Sequence, residues 1–123
     1  MIPVFDTTAL AKLVEDLDLY VALDFLTTFS ALLAGRIERI EQAYQDHDEE
    51  EITTALLSLQ ASAAMVGAAQ LEASATRALG QQPTRAKHSG ALIRRLEGQA
   101  DVFRETIATL PIAAVPATYE ATG

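Results

Sequence analysis

The stretch from Asp48 to Leu71, DEEEITTALLSLQASAAMVGAAQL, decides how this chain folds. Asp48 is a candidate helix N-cap, and Glu51 three residues later completes a capping box in acidic form. No Gly or Pro interrupts the run until Gly67. Wound on a helix, Ile52, Leu56, Leu59, Ala63 and Val66 fall on one stripe, at spacings of four, three, four and three. That stripe is the expected core face. Thr53, Leu57, Gln60, Ala61 and Ala64 lie almost opposite, with Leu57 about 140° from the stripe centre. A large apolar residue there, beside Ala61 and Ala64 rather than Lys and Glu, has two explanations. Either the helix is buried on two sides, or an exposed apolar patch awaits a partner.

Working outward, the link AYQDHD joins this helix to a longer one before it, expected over about Leu19 to Asp46. So short a connection makes the two antiparallel neighbours. In the longer helix Ala22, Leu26, Phe29, Leu33, Ile37, Ile40 and Tyr44 recur at three and four, and Phe25 and Leu32 widen the stripe. Gly35 in its middle costs about 1 kcal/mol relative to Ala and either allows close packing or is simply tolerated. Asp6 is positioned to cap a short first helix carrying Leu10, Leu13 and Val14, with Leu17 and Asp18 in the break that follows.

Beyond Gly67-Ala68, a shorter helix from Ala69 to Leu79 places Leu71, Ala75, Ala78 and Leu79 inward, and Gly80 stands where a left-handed cap is expected. After the loop GQQPT, a last helix starts at Pro83 or Thr84 and carries Leu92, Leu96, Gln99, Phe103, Ile107 and Leu110. Pro111 stops it, and residues 111–123 read as a mobile tail. The expected fold is all-α: an antiparallel, up-down-up-down four-helix bundle over residues 1–110, with a short extra N-terminal helix.

Composition bounds the function. One domain fits 123 residues, and half the residues are apolar with few aromatics. Nine basic against seventeen acidic side chains give a net charge of −8, which disfavours nucleic acid and anionic membrane surfaces as partners. Absence of cysteine excludes disulfides and thiolate metal sites. The most apolar run, Tyr20 to Gly35, is short for a bilayer span and contains Asp24, so no span is expected. The start, MIPVFDTT, lacks the pattern of a signal peptide, and the cytoplasm is the expected location.

Neither histidine has a second ligand spaced for one helix face: His47 sits between Asp46 and Asp48, His88 after Arg85 and Lys87. The acidic cluster Asp46, Asp48, Glu49, Glu50 and Glu51 reads as a complement to a helix dipole, not a cation site. Arg77, Arg85, Lys87, Arg94 and Arg95 read as a solvated face. No phosphate loop, nucleophile elbow or catalytic carboxylate pair is present, so neither an enzyme nor a cofactor or metal is expected.

The run LDFLTTFSALLAGRIERIEQAYQDHD followed by LLSLQASAAMVGAAQL resembles the histidine-containing phosphotransfer (HPt) domains of bacterial phosphorelays. Their central helix reads approximately A-H-x-L-K-G-S-A-x-x-x-G-A-x-x-L, and Leu59, Ser62, Ala63, Gly67, Ala68 and Leu71 match it. The departures fall on the functional positions. The resemblance places the phosphoacceptor histidine at Leu57, the phosphate-neutralising lysine at Gln60, and the glycine that admits a partner at Ala61. A hydrocarbon has no lone pair to attack an aspartyl phosphate, and Gln60 brings no charge against a dianion.

The resemblance therefore implies a degenerate, pseudo-HPt module of a two-component system. It would dock on a response-regulator receiver domain or a histidine kinase without carrying phosphate, through Thr53, Leu57, Gln60, Ala61 and Ala64. Two other readings stand beside it. The bundle is an oligomerisation module that buries the Leu57 face in a homodimer, or it is an active phosphotransfer domain with a displaced histidine, His88.

Overall fold

The computed structural model describes residues 1–81 and 89–109, and the regular structure among them is entirely helical. The five helices are α1 (Thr7–Asp16), α2 (Leu19–Gln45), α3 (Glu49–Val66), α4 (Ala69–Leu79) and α5 (Ser89–Ala108). Asp6 caps α1 by accepting from the Thr8 N–H, and Asp18 caps α2 by accepting from Val21 N–H. Leu17 and Asp18 form the break between them, as the sequence indicates.

Asp48 caps α3, its Oδ1 accepting from the Glu51 N–H at 3.1 Å. The reciprocal half of the capping box is not made. The Asp48 N–H instead donates to the Ala43 carbonyl at 3.1 Å, which frees the Glu51 carboxylate for another partner. It takes a two-pronged contact from Arg39 of α2, with Nε and Nη2 donating at 2.7 and 3.0 Å. Those hydrogen bonds hold the Glu51 carboxyl below its ordinary 4.5, against a smaller upward push from desolvation. A carboxyl depressed on folding contributes stability above its unfolded pKa and loses it as pH falls through the folded value. Thermal melts of the native chain are thus expected to weaken as pH drops below about 4.5, and Glu51→Gln to flatten that slope. Identical acid slopes for both proteins would remove the pair from this account.

One core joins α2 to α5. Leu26, Phe29, Leu33, Ile37 and Ile40 of α2 meet Ile52, Leu56, Leu59, Ala63 and Val66 of α3. Leu71, Ala75 and Ala78 of α4 and Ile93, Leu96, Ala100 and Phe103 of α5 complete the cluster. Each of α2 to α5 packs on its neighbour in the chain, and α5 closes back on α2. The α1 helix lies across α2 and α3, with Leu10 and Leu13 against Ala22. The result is a helical bundle.

Several expectations shift in detail. On α5 the deep stripe is Ile93, Leu96, Ala100 and Phe103, while Leu92 and Gln99 are only half-buried. Two adjacent apolar residues, Leu92 and Ile93, make either stripe compatible with the sequence. Gln99 is kept off the core by the Ser74 hydroxyl, which donates to its Oε1 at 2.8 Å. Gly80 ends α4 with φ −79°, an ordinary helical value rather than a left-handed cap. The left-handed glycine is Gly67 (φ 81°), after α3. Gly35 faces open space, so it mediates no close packing. The start of the last helix, Leu110 and the tail at 111–123 fall outside the described residues.

Among the described residues α2 is the one helix long and apolar enough, by length and composition, to cross a membrane. It reaches 27 residues because the helix continues well past the apolar run that the sequence marks off at Gly35. Its inner stripe is spent on the bundle core.

Candidate functional site

On α3 the capped start and unbroken 18-residue run fix which side chains face out. Leu57 is 47% exposed. Burial on two sides is thereby excluded. Thr53, Ala61 and Ala64 are exposed with it, along one side of the helix. Gln60 behaves differently. It is half-buried, and its Nε2 donates at 2.8 Å to the Thr76 hydroxyl on α4, which in turn donates to the Glu72 carbonyl at 2.9 Å. Four of the five expected docking residues therefore share an open face, and the fifth staples its edge to α4.

The other edge is held to α2. Arg36 Nη1 donates to Ser62 Oγ at 2.8 Å and to Ser58 Oγ at 3.0 Å, while Ser62 Oγ donates to the Ser58 carbonyl at 2.7 Å. The Arg36 Nε is buried and has no hydrogen-bond acceptor among the described residues. Beside this clamp, Phe25, Leu32 and Arg36 of α2 and Ser62 and Met65 of α3 line a shallow cleft of about 140 Å³. Phe25, Leu32 and Met65 are 41%, 47% and 48% exposed.

The expectation that Phe25 and Leu32 widen the core stripe is thus corrected. They belong to a second stripe, Val21, Phe25, Thr28 and Leu32, spaced four, three and four along the outside of α2. That spacing is visible in the sequence. An apolar side chain one position off a core stripe reads equally well as core or surface, so periodicity alone does not separate them. The Arg36 clamp has no sequence signal, because its partners lie in another helix.

The chemistry this surface offers is narrow. Leu57, Phe25, Leu32 and Met65 present hydrocarbon, aromatic and thioether groups, and Ala61 and Ala64 present methyls. Neither a nucleophile nor an acid–base pair stands among them. His47 sits in the α2–α3 turn at φ 53°, ten residues before Leu57. His88 lies outside the described residues. Among the described residues no group of three acidic or imidazole side chains is placed to hold a metal ion. Comparison with protein-family models, with curated proteins and with solved structures finds no match to this chain.

Proposed function

We propose that this chain is a pseudo-phosphotransfer module of a two-component phosphorelay. In this reading α2 to α5 form an up-down-up-down four-helix bundle of HPt type, with α1 added to it, working in the cytoplasm. Its partner is a response-regulator receiver domain or a histidine kinase, and it docks without carrying phosphate. The observation that carries the reading is Leu57: a large apolar side chain, half exposed, at the position where the HPt-like motif places its histidine. Gln60, at the lysine position, has its amide engaged by Thr76 rather than free for phosphate. A dry contact independent of phosphorylation follows from such a surface.

Burying a leucine side chain contributes about 1.5–3 kcal/mol, so placing a carboxylate there is expected to weaken docking by roughly 10- to 100-fold or more. An NMR titration of the labelled chain with receiver domains, run with and without a phosphate mimic, checks this. Shifts centred on Thr53, Leu57, Ala61 and Ala64 that vanish in Leu57→Asp support the reading. Receiver binding unchanged by Leu57→Asp would sink it.

A second reading rests on the outer stripe of α2. Phe25 and Leu32, together with Met65 and Leu57, give a run of exposed apolar side chains spanning two helices, which suits a two-fold homodimer as well as a heterologous partner. Sedimentation at increasing concentration decides between them, since a strict monomer at high micromolar concentration excludes the dimer.

A further inference from the structure

Charge is divided unevenly along this chain. Residues from Ala73 to Leu96 hold five of its nine basic side chains and none of its seventeen acidic ones. Two of the five, Arg77 in the last turn of α4 and Arg95 in α5, line a single cleft of about 280 Å³ together with Ser74, Gln81 and Leu92. Among the described residues no carboxylate lines it. The ion pairs among the described residues join Lys12 to Asp16, Arg39 to Glu51 and Arg104 to Asp101, and leave Arg77 and Arg95 without a counter-charge.

Arg77 alone would be accounted for as a complement to the C-terminal carbonyls of α4. Arg95, in the body of α5, has no such role. Two guanidinium groups sharing a wall repel each other, and an anion between them relieves that repulsion. The two helices are tied behind the cleft by the buried Ser74, whose hydroxyl donates to Gln99 Oε1 at 2.8 Å. The backbone that carries both arginines is therefore held before any ligand arrives.

We propose that the α4/α5 cleft binds a phosphate group, as inorganic phosphate or as a small phosphate monoester, with Arg77 and Arg95 as its principal donors. Two guanidiniums match the charge of a phosphate near neutral pH, about −1.5 to −2 for a monoester, and their planar forks fit its oxygens. A small anion is favoured over a long polyanion, because the rest of the surface carries all the carboxylates and repels an extended chain of phosphates. Among the described residues no aromatic side chain lines the cleft, so the phosphate, not an attached base, is what it recognises. The cleft lies on the side of α4 away from Thr76, which bonds Gln60 of α3. It is thus separate from the Leu57 face and does not depend on the docking reading.

The test is a ¹⁵N NMR titration of the full chain with sodium phosphate and, separately, glycerol 3-phosphate, at constant ionic strength with sodium chloride as the control. Saturable shifts are expected at Ser74, Arg77, Gln81 and Arg95, with either Arg95→Gln or Arg77→Gln weakening binding at least about tenfold. Arg104→Gln, outside the cleft, leaves affinity unchanged. The tighter of the two anions identifies the source of the phosphate. Shifts that do not saturate and are reproduced by chloride overturn the proposal. So does an Arg95→Gln variant that is folded by circular dichroism and binds phosphate as tightly as the native chain.

Discussion

A Phe103→Ala variant is expected to lose about 3–5 kcal/mol of folding free energy, the largest effect of any single substitution considered for this chain. Phe103 is 1% exposed and is among the largest fully buried side chains of the core. Its ring meets Phe29 of α2 edge to face, with centroids 5.5 Å apart and planes at 82°. It meets Phe5, ahead of α1, in a similar way at 5.9 Å and 72°. Truncation thus removes the buried ring, leaves a cavity, and cancels two aromatic pairs that contribute about 0.5–1.5 kcal/mol each beyond area. A domain of this size holds only about 5–15 kcal/mol in all. Urea denaturation followed by far-UV circular dichroism measures the loss, and Phe103→Leu is expected to recover much of it. A loss below about 1 kcal/mol would mean that the three segments do not converge on this ring.

The second large effect is expected at Gly67. This residue closes α3 in the left-handed conformation, at φ 81°, where a side chain costs about 1–2 kcal/mol. Its carbonyl accepts from the Asp6 N–H at 2.7 Å, and a Cβ added here would overlap the Asp6 carbonyl and press on the Ala9 methyl at 3.3 Å. Gly67→Ala must therefore push the start of α1 off the α3–α4 turn as well as strain its own backbone. A total loss on the order of 3 kcal/mol follows, with the N-terminal segment giving way first. Amide hydrogen exchange separates this from general destabilisation, because protection is expected to fall in residues 6–13 before it falls in α3. Uniform loss of protection across the chain would show that Gly67 does not seat that segment.

Much of this fold was legible in the sequence, for reasons that can be named. The α3 core stripe emerged because Ile52, Leu56, Leu59, Ala63 and Val66 leave no competing arrangement on an 18-residue helix, and all five are buried. The caps at Asp6 and Asp48 were legible because a carboxylate acts on N–H groups two or three residues away, within local reach. Asp18 read only as part of the break, and its cap on Val21 N–H came from the structure. What failed was what depends on another helix. Glu51 left its capping box for Arg39, twelve residues earlier in the chain. Gln60 was drawn to Thr76, and Phe25 and Leu32 proved to be surface because α3 and α5 take the other sides of α2. Gly67 stood out in the sequence as a helix break, yet the backbone that touches it comes from the first six residues.

The outward position of Leu57 was likewise readable from periodicity. The apolar flank at Phe25, Leu32 and Met65 was not, since it is assembled across two helices. The docking role proposed for the Leu57 face draws on the resemblance of one helix, and its test is the titration of the labelled chain with receiver domains.

The clamp of Arg36 on Ser58 and Ser62, one turn apart on α3, has a mechanical consequence. With Arg39 gripping Glu51 nearer the turn, α2 is pinned to α3 at two levels on the same side. Sliding one helix past the other by a single turn, about 5.4 Å, would break both grips at once. The stagger of the two helices is thereby set before any encounter, and with it the spacing between Leu32 on one and Met65 on the other. Any partner of the proposed kind landing across this seam would meet two helices already in register. Little ordering would remain to be done on this side of such a contact, which would leave conformational adjustment to the partner.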